Sequence, residues 1–328
     1  MNSAIKAKDS PSISFFLSHI CHSQFKAIYF LSRPLKTPQK KASSNKSILI
    51  NSSYQIIPLK KQSEDAVIVK DNFIVIADGV GGWKNFGIDP SIYSQSLCEA
   101  IAKTLSSSSI QNETELKEKV VSSINSLHST QIIGGATFLT IYLDAGANKA
   151  YSVALGDTLF SVLRFDKEKH SYFIAHKSKE QYHSFNTPFQ CGYQADPPHE
   201  ANIFSIDIEP GDVIIAGTDG LFDNVSDGDL ISMTNEENEA DKLSLLIANK
   251  ARNNSQDQNY ISPFAIKARE NGKFYIGGKP DDITIVVMMV REENEGEKEE
   301  KRSIRSIGSK TTSDSRITEL NINEEYYL

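Results

Sequence analysis

The chain has 328 residues, 39% of them hydrophobic, with a formal charge of −7 and a pI near 5.6. That acidic balance offers no basic face to a phosphate backbone and sets nucleic acid aside as a partner, and no stretch supplies the roughly 18 consecutive apolar residues of a membrane helix. Cys21, Cys98 and Cys191 are far apart and odd in number, which argues against a disulfide framework and against a zinc site with paired ligands, and a reducing compartment follows.

Residues 1–47 are rich in Ser and Lys, with Asp9 as their only acid, and they look like an organelle transit peptide. The competing reading is a plain disordered basic tail, which Arg33 favours as the only arginine there. The expected location is mitochondrial, and otherwise cytoplasmic or nuclear. The apolar run from Ile13 to Leu31 is broken by His19, His22, Gln24 and Lys26, so no integral membrane segment is expected.

The organised part spans residues 48–290. Short runs rich in Val, Ile, Phe and Tyr predict strands at 66–69 and 73–77, then at 136–143, 150–155, 158–165 and 172–175, and finally at 203–208, 212–217 and 283–290. Polar turns such as KDN, DAGANK and EPG link them, as in antiparallel meanders. Helices are predicted from Pro90 to Leu105, Glu113 to His128, Asp241 to Ala251 and Ser262 to Glu270. Strands in runs with helices in pairs indicate an α+β fold, a sandwich of antiparallel sheets covered by helices. Residues 291–328 alternate acids and bases with few apolar groups and read as a solvated tail.

Acids recur at the ends of the apolar strands. FIVIADGVGGW (73–83) runs into Asp78, DVIIAGTDGLFDN (212–224) runs into Asp219, and GGKPDDITIVV (277–287) places Asp281 and Asp282 just before a strand. Glu64 and Asp65 head the first predicted strand. One Asp-Gly after a strand is most often a turn. Antiparallel pairing, however, sets the start of one strand beside the end of its neighbour, so these points meet at one edge. Crowded, half-buried carboxylates need a cation among them, and hard ions such as Mg²⁺ or Mn²⁺ take oxygen ligands. Two such metals would activate a water against a phosphorus atom without a covalent nucleophile. The sequence has no GxSxG elbow, no Walker loop and no cysteine followed by a phosphate-cradling arginine loop.

With these motifs in order (SEDA, FIVIADGVGGW, GGATFLTIYL, ALGDTLFSVLR, AGTDGLFDN, GGKPDDITIVV) the chain resembles the metal-dependent serine/threonine protein phosphatases of type 2C. The resemblance covers residues 50–290 and looks most like the mitochondrial branch, through Val80, FNTPFQ at 185–190, and SPFAIKA followed by GGKPDDIT. It implies a four-layer α-β-β-α sandwich of two antiparallel sheets with two Mn²⁺ or Mg²⁺ ions in the cleft. Asp78 would bridge both ions, the Gly79 carbonyl would ligate one, Asp219 and Asp281 would hold the other, and Glu64 and Asp65 would act through bound water. Lys60 stands where many members place a phosphate-binding arginine, and lysine keeps the charge but loses the bidentate fork. The partner implied is a phosphorylated protein, acted on by a monomer.

Several positions depart from the family pattern. Val80 replaces a histidine proposed as general acid, and His183 is a conceivable substitute. Asp282 replaces an asparagine and would either tighten cation binding or cap the strand start. The acid that some relatives use for a third metal upstream of GGAT is unmatched. Asp157 reads as a structural hairpin acid, and the segment from Ala175 to Asp207 as a loop or flap carrying specificity. The alternative function is an inactive phosphoprotein-binding scaffold, disfavoured because a scaffold has no need of Asp78, Gly79, Asp219 and Asp281. A small-phosphoester hydrolase is a remoter reading.

Overall fold

A computed structural model describes residues 48–293. The segments read as transit peptide or basic tail (1–47) and, past Glu293, as solvated tail lie outside the described residues. In chain order the elements are β1 (Ile48–Ile57), β2 (Asp65–Val69), β3 (Phe73–Gly79), α1 (Pro90–Leu105), α2 (Glu113–His128), β4 (Gly135–Asp144), β5 (Lys149–Leu155), β6 (Leu159–Asp166) and β7 (Ser171–Lys177). Three short strands follow, β8 (Tyr182–Ser184), β9 (Thr187–Pro188) and β10 (Cys191–Gly192), then β11 (Asn202–Asp207) and β12 (Val213–Gly217). The chain continues through α3 (Asp219–Phe222), α4 (Asp227–Glu236), α5 (Ala240–Gln256), α6 (Pro263–Glu270) and β13 (Ile283–Glu292).

One sheet has the order β1-β13-β12-β6-β7 and the other β11-β5-β4-β3-β2, with β10 added against β4. All ladders in both are antiparallel. The period-2 alternation of β3 shows how the layers form: Ile74 and Ile76 point into the core shared by the two sheets, with Leu139, Ile141, Ile214 and Val286. Phe73, Val75 and Ala77 point the other way, under Leu97 and Ile101 of α1 and Leu116 and Ile124 of α2. On the outer face of the second sheet, Ile215, Ile285 and Val287 pack against Leu243, Ile247 and Ala251 of α5. Three apolar clusters between four layers make the α-β-β-α sandwich.

Local chemistry fixes the helix starts. Asp89 accepts from the Ser91 N–H ahead of Pro90, Asn112 accepts from the Glu115 N–H, and Ser262 accepts from the Ala265 N–H ahead of Pro263. Sequence reasoning missed β1, whose Asn51-Ser52-Ser53 reads as a turn. Its pairing with β13 along the whole length, Ile48 opposite Glu292 to Ile57 opposite Ile283, overrides that local preference. The same pairing draws Arg291 and Glu292, assigned to the tail from sequence, into the last strand. The α5 helix runs five residues beyond Ala251, because Asn254 and Ser255 turn inward and Asn254 donates to the Asn224 carbonyl at 2.7 Å. No helix among the described residues is long and apolar enough to cross a membrane.

Candidate active site

At one end of the sandwich the strand termini of both sheets converge. The β2–β3 ladder places Asp65 directly opposite Asp78, and Thr137 of β4 flanks Asp78 on the other side. Asp65 is only 4% exposed; its Oδ2 accepts the Thr218 hydroxyl at 2.9 Å, and its Oδ1 is buried with no partner. Burial raises Asp65 well above the usual carboxylate range, with Asp282 and Asp219 adding to it. Burial does the same to Asp78, reinforced by Asp65, Asp219 and Asp281.

The second sheet supplies the facing acids. Gly217 pairs with Ile285, so the end of β12 lies beside the start of β13 and brings Asp219 to Asp281. Lys279 sits among them: its ammonium contacts Asp219 Oδ2, lies 2.9 Å from Asp223 Oδ2 and 3.3 Å from Asp281 Oδ2, and its side chain is 15% exposed. Burial alone would lower the Lys279 pKa, but Asp219, Asp223 and Asp281 outweigh it and hold the amine well above its usual range. Asp281 is pushed up to about 7 by burial and by Asp219. Asp219 Oδ1 is buried without a partner.

A cavity of about 270 Å³ opens between these groups, lined by Glu64, Asp78, Gly79, Asp219, Asp281 and Asp282 of the predicted set. Asp65 lies beneath it, beside Asp78. Gly79 is required by space, since a Cβ there would stand 2.7 Å from the Glu64 carbonyl oxygen and 2.9 Å from that of Pro90. The Glu64 carboxylate is paired with Lys84.

Two sequence expectations change. Lys60, expected to bind phosphate, is exposed and does not line the cavity, because the β1–β2 connection carries it outward. Asp282, expected either to tighten cation binding or to cap the strand start, lines the cavity and accepts backbone N–H groups from Leu59 at 2.6 Å and Glu64 at 2.7 Å, and so clamps that connection against β13.

Asp157, read from sequence as a hairpin acid, lines the cavity. It is pushed up to about 8 by burial and by Asp219. Its signal was the same as that of Asp78, an apolar strand running into an acid at a glycine. Asp223, Lys84 and Lys279 were missed, because only the meeting of loops distant in sequence gives them a role. Val80 lines the cavity and offers no proton. His183 lies outside its lining, hydrogen-bonded to Asp196 at 2.8 Å and stacked on Phe189 at 4.1 Å. The segment after β7 borders the cavity through Asn186 and Pro188, while Phe185 packs on Phe264 at 5.2 Å.

These oxygens fit hard divalent cations. Two buried carboxylate atoms, Asp65 Oδ1 and Asp219 Oδ1, lack a hydrogen-bond partner, and no ion pair among the described residues involves Asp65 or Asp78. Among the described residues no three His, Cys, Asp or Glu side chains are gathered closely enough to hold an ion as they stand. Asp219, Asp223 and Asp281 are held by Lys279 instead.

A two-sheet sandwich with helices outside, and an acid-lined cavity where strand ends of both sheets meet, defines a metal-dependent phosphatase. The chain belongs to the type 2C family of metal-dependent protein phosphatases. The family model described as stage II sporulation protein E (SpoIIE) matches residues 70–291. The protein phosphatase PTC7 homolog of Homo sapiens is 34% identical over 232 residues, 66% of this chain and 74% of the relative. The PTC7 homolog fig of Drosophila melanogaster is 31% identical over 236 residues, 67% of this chain and 73% of the relative.

Solved structures share the fold. The photosystem II phosphatase PBCP superposes with a TM-score of 0.63 at 24% identity, covering 73% of this chain and 98% of that one. The catalytic domain of the serine threonine protein phosphatase PstP, solved with 2 manganese ions, gives 0.55 at 17% identity over 75% of this chain and 100% of that one.

Proposed function

We propose that this protein removes phosphate from phosphoserine and phosphothreonine in proteins, using two Mn²⁺ or Mg²⁺ ions. The observation that carries the reading is the facing of Asp65 and Asp78 beneath a cavity that also receives Asp219 and Asp281. Asp78, the Gly79 carbonyl, Asp219 and Asp281 would hold the ions, with Glu64 and Asp65 acting through water. Bound divalent cations supply a water of lowered pKa and positive charge for the phosphoryl oxygens.

The chain's own residues do the positioning. Thr218 ties the Asp65 carboxylate to the end of β12 and accepts the Thr284 N–H at 3.1 Å, so one hydroxyl fixes both sheets at the site. Asp282 holds the Glu64 backbone, and the Glu64 carbonyl accepts the Gly79 N–H at 3.2 Å, which sets the turn after β3. Asn186 and Pro188 also line the cavity, so a phosphorylated side chain in it would meet them.

Phosphate release from a phosphothreonine peptide by the full chain tests this, with Mn²⁺, with EDTA and with Asp219→Asn. Turnover only by the unaltered chain with metal supports it. No turnover from a folded protein that binds Mn²⁺ replaces it with the phosphoprotein-binding scaffold. The Ser- and Lys-rich composition of residues 1–47 supports a mitochondrial address, which import of a reporter fused to that segment checks. Light scattering checks the monomer.

A further inference from the structure

The backbone of Lys279 is pinned before its side chain is placed. Asn224 Oδ1 accepts the Lys279 N–H at 2.8 Å, and Asn224 Nδ2 donates to the Lys279 carbonyl at 2.8 Å. Ahead of it the Tyr275 hydroxyl donates to the Gly278 carbonyl at 2.9 Å, and Gly278 itself has no room for a Cβ beside Asn254 and Ser255. The ammonium lies 5.1 Å from the centre of the Phe264 ring. A lysine whose N–H and carbonyl are both held, and whose ammonium sits over the Phe264 ring, is aimed at one point, the gap between Asp219, Asp223 and Asp281.

An ammonium has three N–H donors, and here three carboxylates surround it. Asp223 has a further cation in Lys267, whose Nζ lies 3.1 Å from its Oδ1 and which also pairs with Glu180. Asp219 and Asp281 have Lys279 alone among the ion pairs of the described residues. These are two of the acids that would hold a divalent cation, and a single-charge cation now stands against them.

We propose that Lys279 is a resident counter-ion of the metal site, holding Asp219 and Asp281 while no divalent cation is bound and withdrawing to Asp223 when one binds. This rests on the metal-dependent reading above. The consequence is that metal must displace a tethered competitor. Its removal therefore strengthens metal binding while it weakens the metal-free fold, two effects of opposite sign that a merely structural lysine does not produce together.

The test uses the full chain and its Lys279→Met variant, with Lys279→Gln in reserve should the methionine variant not fold, because an amide is neutral but still donates to Asp223. Calorimetric titration with Mn²⁺ should give a dissociation constant about tenfold lower for the variant, equivalent to about 1.4 kcal/mol. In EDTA its melting temperature should be lower by several degrees. Lys267→Met, which leaves Asp219 and Asp281 untouched, should not tighten Mn²⁺ binding. Unchanged or weaker Mn²⁺ affinity in both Lys279 variants, or an undiminished melting temperature in EDTA, overturns the proposal. A wild-type chain that binds no Mn²⁺ overturns the metal-dependent reading instead, so the two failures are distinct.

Discussion

Asp65 and Asp78 stand directly opposite each other across β2 and β3, a buried carboxylate against a half-buried one, where a cross-strand pair would ordinarily be apolar or of opposite charge. The Thr218 hydroxyl satisfies Asp65 Oδ2, but Asp65 Oδ1 is buried with no hydrogen-bond partner among the described residues. The fold carries the repulsion at the position where, in the function proposed above, a cation would relieve it.

Asp65→Asn keeps an oxygen for the Thr218 hydroxyl and removes one charge. The metal-free variant should melt roughly 3 °C higher than the parent, the shift that about 1 kcal/mol gives in a domain of this size. Metal-activated phosphate release should fall at least ~10-fold, as for lost outer-shell partners of metal ligands. Scanning calorimetry in EDTA and a phosphate-release assay check both, and a variant less stable than the parent counts against the repulsion.

Stability of the metal-free chain should depend on pH in a stated direction. Asp157 is pushed up to about 8 and Asp281 to about 7, whereas in the unfolded chain both return to about 4. Between those values the folded chain keeps protons that the unfolded chain has released, so stability falls as pH rises through the window. Melting temperature in EDTA should therefore decline from pH 5 to pH 8, and saturating Mn²⁺, if held by Asp281 as proposed, would displace its proton and flatten the curve. A flat profile in EDTA is the contrary result.

Gly79→Ala should damage the site through the backbone. Its Cβ would meet the carbonyl oxygens of Glu64 and Pro90 at 2.7 and 2.9 Å, neither of which belongs to a flexible side chain. A loss of about 1–3 kcal/mol is expected, together with a larger loss of Mn²⁺ affinity than Gly211→Ala, where no atom lies within 4 Å but φ is +100°. Denaturant titration and calorimetry separate the two.

His183→Ala should leave kcat within about 3-fold of the parent, because the imidazole is spent on Asp196 and Phe189 and lies outside the reaction cavity. It lines a neighbouring hollow with Trp83, Phe86 and Tyr193, so any change should fall on KM for a phosphopeptide. A hundredfold loss of kcat would restore it as the proton donor.

The helix from Pro90 was legible because Pro90 suits a first helical turn and apolar residues recur at Ile92, Leu97, Ile101 and Leu105; the caps on Asp89 and, for the helix from Glu113, on Asn112 were seen only in the structure. The acids at strand ends were legible for a related reason: a strand's apolar period stops where Asp78 or Asp219 begins, and the stop needs no knowledge of the partner strand. β1 was not legible, since its Asn-Ser-Ser centre becomes a strand only against β13.

Sequence by itself therefore determined the antiparallel runs of strands, the paired helices over them and the acids at the ends of β3 and β12 and at the starts of β2 and β13, all consequences of periodicity and turn chemistry within a few residues. Tertiary structure alone decided the side-chain partners. It turned Lys60 outward, spent Asp282 on the amides of Leu59 and Glu64, brought Asp157 to the cavity, and set Lys279 between Asp219 and Asp281, 60 residues apart from the former in the chain. Those choices depend on the distance between loops from different sheets, and a charge chooses its partner by distance and burial rather than by its place in the sequence.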